Sequence, residues 1–118
     1  MQAAVQIYIN ALNAGDIDAI VALYAENAVV EDPVGAKPQR GLAEIRTFYT
    51  ASLQMQLQVA LEGPIRAVAN EAAFAFSVSL VMDGQRITIR PIDVMRFDEA
   101  GRITSMRAFF GPHNISHG

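Results

Sequence analysis

Cysteine, tryptophan, lysine and histidine are absent or scarce in this chain of 118 residues. Without cysteine, the protein has no disulfide bond, thiol nucleophile or cysteine-bound zinc site. The single lysine, Lys37, lies in a loop rich in proline and glycine, which argues against Schiff-base chemistry and nucleic-acid binding. His113 and His117 lie within the last six residues, a poor position for a metal cage or a serine–histidine pair. An enzyme of this composition would use carboxylates and tyrosines as its acids and bases.

Long apolar runs are absent too, although 52% of the residues are hydrophobic. No run reaches the roughly 20 residues that span a bilayer. Residues 1–4 lack the basic stretch and the apolar segment of a signal peptide. We therefore expect a cytoplasmic protein that binds neither membrane nor nucleic acid. The length, with no repeat or linker, predicts a single domain over residues 1–118.

Helical periodicity fills the first half of the chain. Apolar residues spaced along one helix face predict a helix over residues 2–13, and Gly15 follows as its C-terminal cap. Asp16 is a suitable N-cap for a second helix, and a third helix lies between Leu42 and Leu53. Each helix carries one tyrosine on its apolar face: Tyr8, Tyr24 and Tyr49. Buried hydroxyls need partners, so these tyrosines either form a network or bind separate backbone carbonyls.

Strand periodicity fills the second half. Alternating residues predict a short strand near 28–31 and further strands near 57–62, 65–69, 72–82, 85–97 and 102–110. The pair Asp83-Gly84 is typical of a two-residue type I′ hairpin turn. Helices that precede an antiparallel-rich sheet indicate an α+β fold, in which the three helices pack on one face of a curved, mostly antiparallel sheet.

Asp93 interrupts an otherwise apolar row on the strand predicted near 85–97. An ionised carboxylate among apolar side chains is unfavourable unless it is paired, whereas a raised pKa allows the neutral acid to donate a hydrogen bond. A salt bridge to Arg90 or Arg96 is the alternative. Strand alternation points both arginines to the opposite face, which favours a functional role for Asp93.

A second carboxylate lies at the end of the short strand near 28–31. Asp32 precedes Pro33, which biases Asp32 toward extended backbone and supplies no N–H donor. An ordinary turn aspartate is the simpler interpretation. From the residues alone, Glu31 is an equal candidate for a catalytic carboxylate.

Apolar side chains could line a pocket or fill the core, and composition does not separate these two interpretations. The candidate pocket residues are Phe48, Phe76, Val78, Leu80, Met82, Met95, Met106, Ala108 and Phe110. The opposite sheet face would expose Ile92, Val94, Ile103 and Phe109 if helices cover only one face. This exposure predicts a homodimer formed through the outer sheet face.

Four segments carry a resemblance to a known family. They are residues 8–16 (YINALNAGD), 30–35 (VEDPVG), 66–76 (RAVANEAAFAF) and 91–97 (PIDVMRF). In this order and spacing, the chain resembles the bacterial ketosteroid isomerases, or steroid delta-isomerases, of the nuclear-transport-factor-two-like superfamily. The resemblance runs from about residue 4 to residue 115. Phe110 departs from the pattern, because some members carry tryptophan there.

The resemblance implies a cone-shaped, cystatin-like fold and the isomerisation of Δ5-3-oxosteroids to Δ4-3-oxosteroids. It implies that Asp32 is the general base and that Tyr8 and protonated Asp93 form the oxyanion hole, with Tyr24 and Tyr49 in support. Ketosteroid isomerase is itself a known example of a neutral carboxylic acid that donates a hydrogen bond. No metal or other cofactor is implied.

Two alternatives stay open at this point. A sister enzyme of the superfamily, such as a polyketide cyclase or an epoxide hydrolase, could use the same fold with different carboxylates. A non-catalytic steroid-binding or dimerisation module would not need Asp32 as a free base.

Overall fold

Three α-helices, a short 3-10 helix (Pro112–Asn114) and nine strands form the regular structure of residues 1–117, the part of the chain that this computed structural model describes. The helices are α1 (Gln2–Ala14), α2 (Ile17–Ala22) and α3 (Gly41–Leu53). Gly15 adopts the left-handed conformation as the C-cap of α1, and the Asp16 carboxylate caps α2 by accepting a hydrogen bond from the Ala19 N–H at 3.1 Å. Across residues 1–117, no helix has both the length and the apolar character needed to cross a membrane.

The strands form one curved sheet in the order β2-β1-β8-β7-β5-β6-β9, and β3 and β4 also pair with β5. Of the described pairs, β1 with β8 is parallel and the others are antiparallel. This architecture confirms the predicted α+β class. The strands are β1 (Tyr24–Glu31), β2 (Gln39–Arg40), β3 (Gln58–Leu61), β4 (Arg66–Val68), β5 (Glu71–Met82), β6 (Gln85–Ile89), β7 (Ile92–Phe97), β8 (Ile103–Phe109) and β9 (Ile115–His117).

The long strand predicted over 85–97 is two strands, because β6 ends at Ile89 and β7 begins at Ile92. Pro91 supplies no N–H to a sheet ladder, and the Arg90 N–H donates to the Asn114 carbonyl outside it. The interruption allows the chain to change neighbours, from β9 beside β6 to β8 beside β7. The hairpin prediction is confirmed: Asp83 and Gly84 both have positive φ, as a type I′ turn requires.

Tyr24 was predicted on the second helix, but it begins β1. Its spacing matches the apolar face of α2, yet that helix ends at Ala22. The Leu23 carbonyl accepts a hydrogen bond from the Ile103 N–H at 2.8 Å, and Tyr24 pairs with Ile103. Pairing with a distant strand therefore outweighs local helical periodicity.

Ile103 was predicted on the outer sheet face, and this prediction is wrong, because its side chain is fully buried in the core. A β-bulge explains the difference. Arg96 pairs with Ser105 but Phe97 pairs with Ile103, so Thr104 is an extra residue on β8. The extra residue reverses the alternation of the strand and turns Ile103 inward.

The core lies between the helices and the inner face of the sheet, and a side-chain amide joins the two layers at one edge. Asn13 at the end of α1 donates to the Val59 carbonyl at 2.8 Å and accepts from the Val59 N–H at 2.7 Å. The amide thus satisfies both backbone groups of a residue in β3. Because α1 also carries Tyr8, this contact fixes the helix that bears one of the candidate site residues.

Replacing this amide is expected to destabilise the fold. Asn13→Ala leaves the N–H and the carbonyl of Val59 without partners, and we expect the free energy of unfolding to fall by about 2 kcal/mol. Urea unfolding measures this value. Asn10→Ala on the same helix removes only an exposed hydrogen bond to Gln6 and serves as the control. An equal effect of the two substitutions would contradict the role given to Asn13.

Candidate active site

The three tyrosine hydroxyls form a buried chain of hydrogen bonds. The Tyr49 hydroxyl lies 2.9 Å from that of Tyr8 and 2.6 Å from that of Tyr24. All three rings are almost inaccessible to solvent. Burial raises the pKa of each hydroxyl well above its ordinary value, which favours the protonated form. Three protons serve two hydrogen bonds within the chain, so one hydroxyl retains a proton to donate elsewhere, and this hydroxyl is Tyr8 when Tyr24 donates to Tyr49 and Tyr49 donates to Tyr8.

Asp93 lies on the inner face of β7 with 1% of its surface exposed. Its strand neighbours are Phe74 on β5 and Ala108 on β8. Within residues 1–117, the carboxyl oxygen Oδ1 of Asp93 has no hydrogen-bond partner. Burial raises the pKa of Asp93 well above that of an ordinary aspartate, and the nearby charge of Asp32 acts in the same direction. The environment therefore favours a neutral carboxylic acid with a free hydrogen-bonding group.

Asp32 follows β1 directly, and contacts before and after it join this segment to β8. Glu31 accepts a hydrogen bond from Arg107 at 3.0 Å, and the Val34 N–H donates to the Ala108 carbonyl at 2.8 Å. Asp32 faces the cavity, whereas Glu31 does not. Burial raises the pKa of Asp32 from 3.8 to about 6.

Glu31, the alternative carboxylate, has the opposite electrostatic environment. The hydrogen bond from Arg107 lowers the pKa of Glu31, and a hydrogen bond from the Gly35 N–H adds to this effect. Glu31 is therefore the weaker base of the two and is already engaged in an ion pair. Between the two carboxylates that the residues alone left equal, the geometry favours Asp32.

A cavity of about 120 Å³, partly open to solvent, brings Tyr8, Asp32, Tyr49 and Asp93 together. Tyr24 does not line the cavity, but its hydroxyl contacts that of Tyr49, which does. The apolar lining consists of Leu12, Phe48, Met55, Leu57, Phe76, Val78, Leu80, Ile89, Pro91 and Phe110. Five of the nine predicted pocket residues are among them: Phe48, Phe76, Val78, Leu80 and Phe110.

The other four predicted pocket residues lie elsewhere. Met95, Met106 and Ala108 are fully buried in the core, where Met95 and Met106 pair with each other beyond Asp93. Their side chains lie on the same face of the sheet as that of Asp93, but the helices pack directly over that part of the sheet. Met82 follows Leu80 on the same row, at the exposed end of the hairpin. Strand alternation identifies a face, but it does not show which part of that face is covered.

Several residues that line the cavity were not predicted, although the sequence spacing of some of them indicates the same face as a predicted site residue. Leu12 follows Tyr8 by one helical turn, and Ser52 follows Tyr49 in the same way. Ile89 and Pro91 share the alternation of Asp93. Met55 and Leu57 lie in the connection after α3, where neither helical nor strand periodicity applies.

Chemically, the cavity combines two kinds of group on an apolar wall. Tyr8 and Asp93 are buried hydroxyl and carboxyl groups whose environments favour the protonated form. Asp32 is a carboxylate that is more basic than usual. This set can remove a proton beside a carbonyl group and stabilise the resulting oxyanion. In the part of the chain that the structure describes, no group of three or more acidic or histidine side chains could hold a metal ion.

Comparison with known proteins agrees with the fold. A family model described as a SnoaL-like domain matches residues 5–106. The epoxide hydrolase/cyclase-like enzyme SalBIII, which has a role in pyran ring formation in the polyether salinomycin, superposes with a TM-score of 0.93 at 29% identity, over 99% of this chain and 95% of that one. A protein of Mycobacterium tuberculosis superposes with a TM-score of 0.90 at 23% identity and the same coverage. The chain belongs to the SnoaL-like family of nuclear-transport-factor-two-like domains.

A relative of known activity indicates which kind of protein within this family the chain resembles. The chain is 47% identical over 115 residues to the Steroid Delta-isomerase of Nocardioides simplex, which covers 98% of this chain and 93% of the relative. This similarity confirms the predicted kinship with the steroid delta-isomerases. The protein is an isomerase.

The raised pKa of Asp32 predicts a pH-dependent effect on stability. Folding raises this pKa from 3.8 to about 6, so the ionised form destabilises the folded state. The effect is absent well below pH 4 and fully present above pH 6. We expect Asp32→Asn to increase the free energy of unfolding by roughly 3 kcal/mol at pH 7.5 and by only about 1 kcal/mol at pH 4.5.

Urea unfolding at the two pH values tests this expectation. The critical value is the difference between the stability changes measured at the two pH values, because the burial of the new amide contributes equally at both pH values. Asp83→Asn, at the exposed hairpin turn, controls for the loss of a surface charge. An Asp32→Asn effect that does not change with pH would refute the proposed burial of charge at this position.

Proposed function

We propose that this isomerase converts Δ5-3-oxosteroids to conjugated Δ4-3-oxosteroids, moving one proton from C4 to C6 through a dienolate. The observation that carries the proposal is the cavity that joins a buried Asp93 carboxyl and the Tyr8 hydroxyl to a basic Asp32. The similarity to a steroid delta-isomerase over nearly the whole chain supports the substrate class. An apolar lining suits a rigid hydrocarbon skeleton.

In this proposal, Asp32 is the general base. It removes the C4 proton beside the ketone, holds it as a carboxylic acid, and returns it at C6. A base works best when its pKa lies near the working pH. With a pKa of about 6, Asp32 is ionised at neutral pH and yet more basic than an ordinary aspartate.

Tyr8 and Asp93 donate hydrogen bonds to the dienolate oxygen. Both are buried, and burial favours their protonated forms. Donors that are fixed in a dry site stabilise developing negative charge far better than water does, because they need no reorientation. The orphaned carboxyl oxygen of Asp93 agrees with a group that gains its partner from the ligand.

Tyr24 and Tyr49 support this arrangement. If Tyr24 donates to Tyr49 and Tyr49 donates to Tyr8, the proton of Tyr8 is free for the ligand. Polarised chains of this kind strengthen the terminal donor. Phe48, Phe76, Val78, Leu80 and Phe110 would contact the steroid rings. The proposed proton transfers require no metal or other cofactor.

The first test follows the ultraviolet absorbance of the conjugated enone formed from a Δ5-3-oxosteroid. We expect Asp32→Asn to lower turnover by about 10²- to 10⁴-fold or more, because the proton carrier is lost. Tyr8→Phe and Asp93→Ala are each expected to lower it by about 10²- to 10³-fold. Glu31→Gln, the neighbouring carboxylate outside the cavity, serves as the matched control, with a loss below tenfold.

Specific outcomes would contradict these roles. A Glu31→Gln enzyme as impaired as Asp32→Asn would remove the base assignment. Unchanged turnover in Tyr8→Phe or Asp93→Ala would remove that residue from the oxyanion hole. Complete inactivity of the wild type toward this class of steroid would favour a sister enzyme or a binding module. For the active enzyme, kcat/KM is expected to fall as the pH drops below about 6, since Asp32 must be ionised.

We also propose that a second copy of the chain covers the outer sheet face. Ile92 and Phe109 pair on this face and are 48% and 43% exposed. Arginine–carboxylate pairs surround them, among them Arg107 with Glu31 and Arg96 with Glu71. An apolar centre with a polar rim is the usual composition of a protein interface.

Charge introduced at the centre of this face is expected to separate the copies. Ile92→Glu and Phe109→Glu would turn a dimer into a monomer in sedimentation velocity, because each buries two carboxylates at a two-fold contact. Ile7→Glu changes an equally exposed residue on α1, in the helical layer, and is expected to leave the dimer intact. A monomeric wild type would refute the proposal.

A further inference from the structure

One polar side chain of the cavity has no part in the proposed reaction. Among the described residues, five polar side chains line the cavity, and the reaction uses four of them. The fifth is Ser52 on α3, which is half-buried. Its hydroxyl donates to the carbonyl of Phe48 at 3.0 Å. Because the proton is engaged, the lone pairs of the Oγ atom are left as acceptors.

The sheet indicates where Ser52 lies along the cavity. On β5, Phe74 pairs with Asp93, at the end that holds the acids. Val81 follows seven residues later, about 23 Å along an extended strand. The Val81 N–H donates to the Met55 carbonyl at 2.8 Å, and the Met55 N–H donates to the Ser52 carbonyl at 3.0 Å. Ser52 is therefore tied to the far end of β5, away from Asp93.

The surroundings of Ser52 at this end are apolar. Met55, Leu57 and Leu80 line the cavity there, and apart from the weakly accepting sulfur of Met55 none of them offers a hydrogen-bonding group. A ligand that binds its carbonyl oxygen at Tyr8 and Asp93 would extend its opposite end toward Ser52. A hydroxyl donor at that end could meet the Oγ atom, whereas a ketone at the same position offers only a second acceptor.

We propose that Ser52 is a specificity-determining residue, whose Oγ accepts a hydrogen bond from a hydroxyl at the far end of the steroid. The inference rests on the proposed function, because it takes the 3-oxo group to lie at Asp93 and Tyr8. The protein is therefore expected to bind 17β-hydroxy steroids more tightly than 17-oxo steroids. To donate to a ketone, the Ser52 hydroxyl would have to abandon its bond to the Phe48 carbonyl.

A purely structural role for Ser52 is the competing explanation. Serine and threonine commonly donate to the carbonyl four residues earlier in a helix. Thr47 does so on the same helix, with its hydroxyl 3.1 Å from the Ala43 carbonyl, but it is exposed and outside the cavity. Thr47 therefore provides a matched control for the loss of such a bond.

The test compares two Δ4-3-oxosteroids that differ only at C17, testosterone with its hydroxyl and androstenedione with its ketone. Both are products of the proposed reaction, so calorimetry gives Kd without turnover. The ratio of the two Kd values is measured in the wild type, Ser52→Ala and Thr47→Val. We expect Ser52→Ala to reduce the preference for testosterone by about two- to tenfold, the range for one neutral hydrogen bond. Thr47→Val is expected to retain the wild-type ratio.

The outcomes separate the two proposals. If both steroids bind and Ser52→Ala keeps the wild-type ratio, the role of Ser52 is refuted and the isomerase proposal stands. An equal change in Thr47→Val would likewise assign the effect to helix structure rather than to ligand contact. If neither steroid binds the wild type, the proposed function fails, and the inference about Ser52 fails with it. Alanine favours helix more than serine does, so Ser52→Ala is expected to fold.

Discussion

The burial of the Asp93 carboxyl is the constraint on which the rest of the site depends. A buried polar group without a partner costs about 1 to 3 kcal/mol, a considerable part of the stability of a small domain. The same apolar surroundings raise the pKa of the group, which favours its neutral, protonated form. The chain of tyrosine hydroxyls is a second buried polar feature that depends on the same dry environment. The apolar surroundings of Asp93 therefore both destabilise the folded protein and favour the protonated form of this carboxyl group.

Ala108 explains how two carboxyl groups from distant parts of the chain face one cavity. It pairs with Asp93 on β7, and its carbonyl accepts the Val34 N–H, just after Asp32. Because β1 runs parallel to β8, Asp32 emerges at the end of the sheet where Ala108 lies.

Local alternation predicted the most important feature, since it placed Asp93 in an apolar row and the two flanking arginines outside it. The residues alone did not separate Asp32 from Glu31, because the decisive contact is with Arg107, 76 positions away. Tyr24 and Ile103 were assigned to the wrong element and the wrong face for the same reason. Strand pairing ends α2 early, and a bulge at Thr104 turns Ile103 inward. Both depend on contacts that no local window contains.

Core and cavity residues are both found along the length of β5. The first half of β5 pairs with β7 and the second half with β6, and the change occurs at Arg90 and Pro91. The Pro91 carbonyl accepts the Phe76 N–H at this junction, which joins the two halves. Val78 and Leu80 on the second half of β5 line the cavity together with Phe48 and Ser52 of α3. Phe74 and Phe76 are neighbours on one apolar row and both are buried in the core, but of the two only Phe76 also lines the cavity. Pro91, which itself lines the cavity, is thus the sequence feature that marks the change of partner strand beside the cavity.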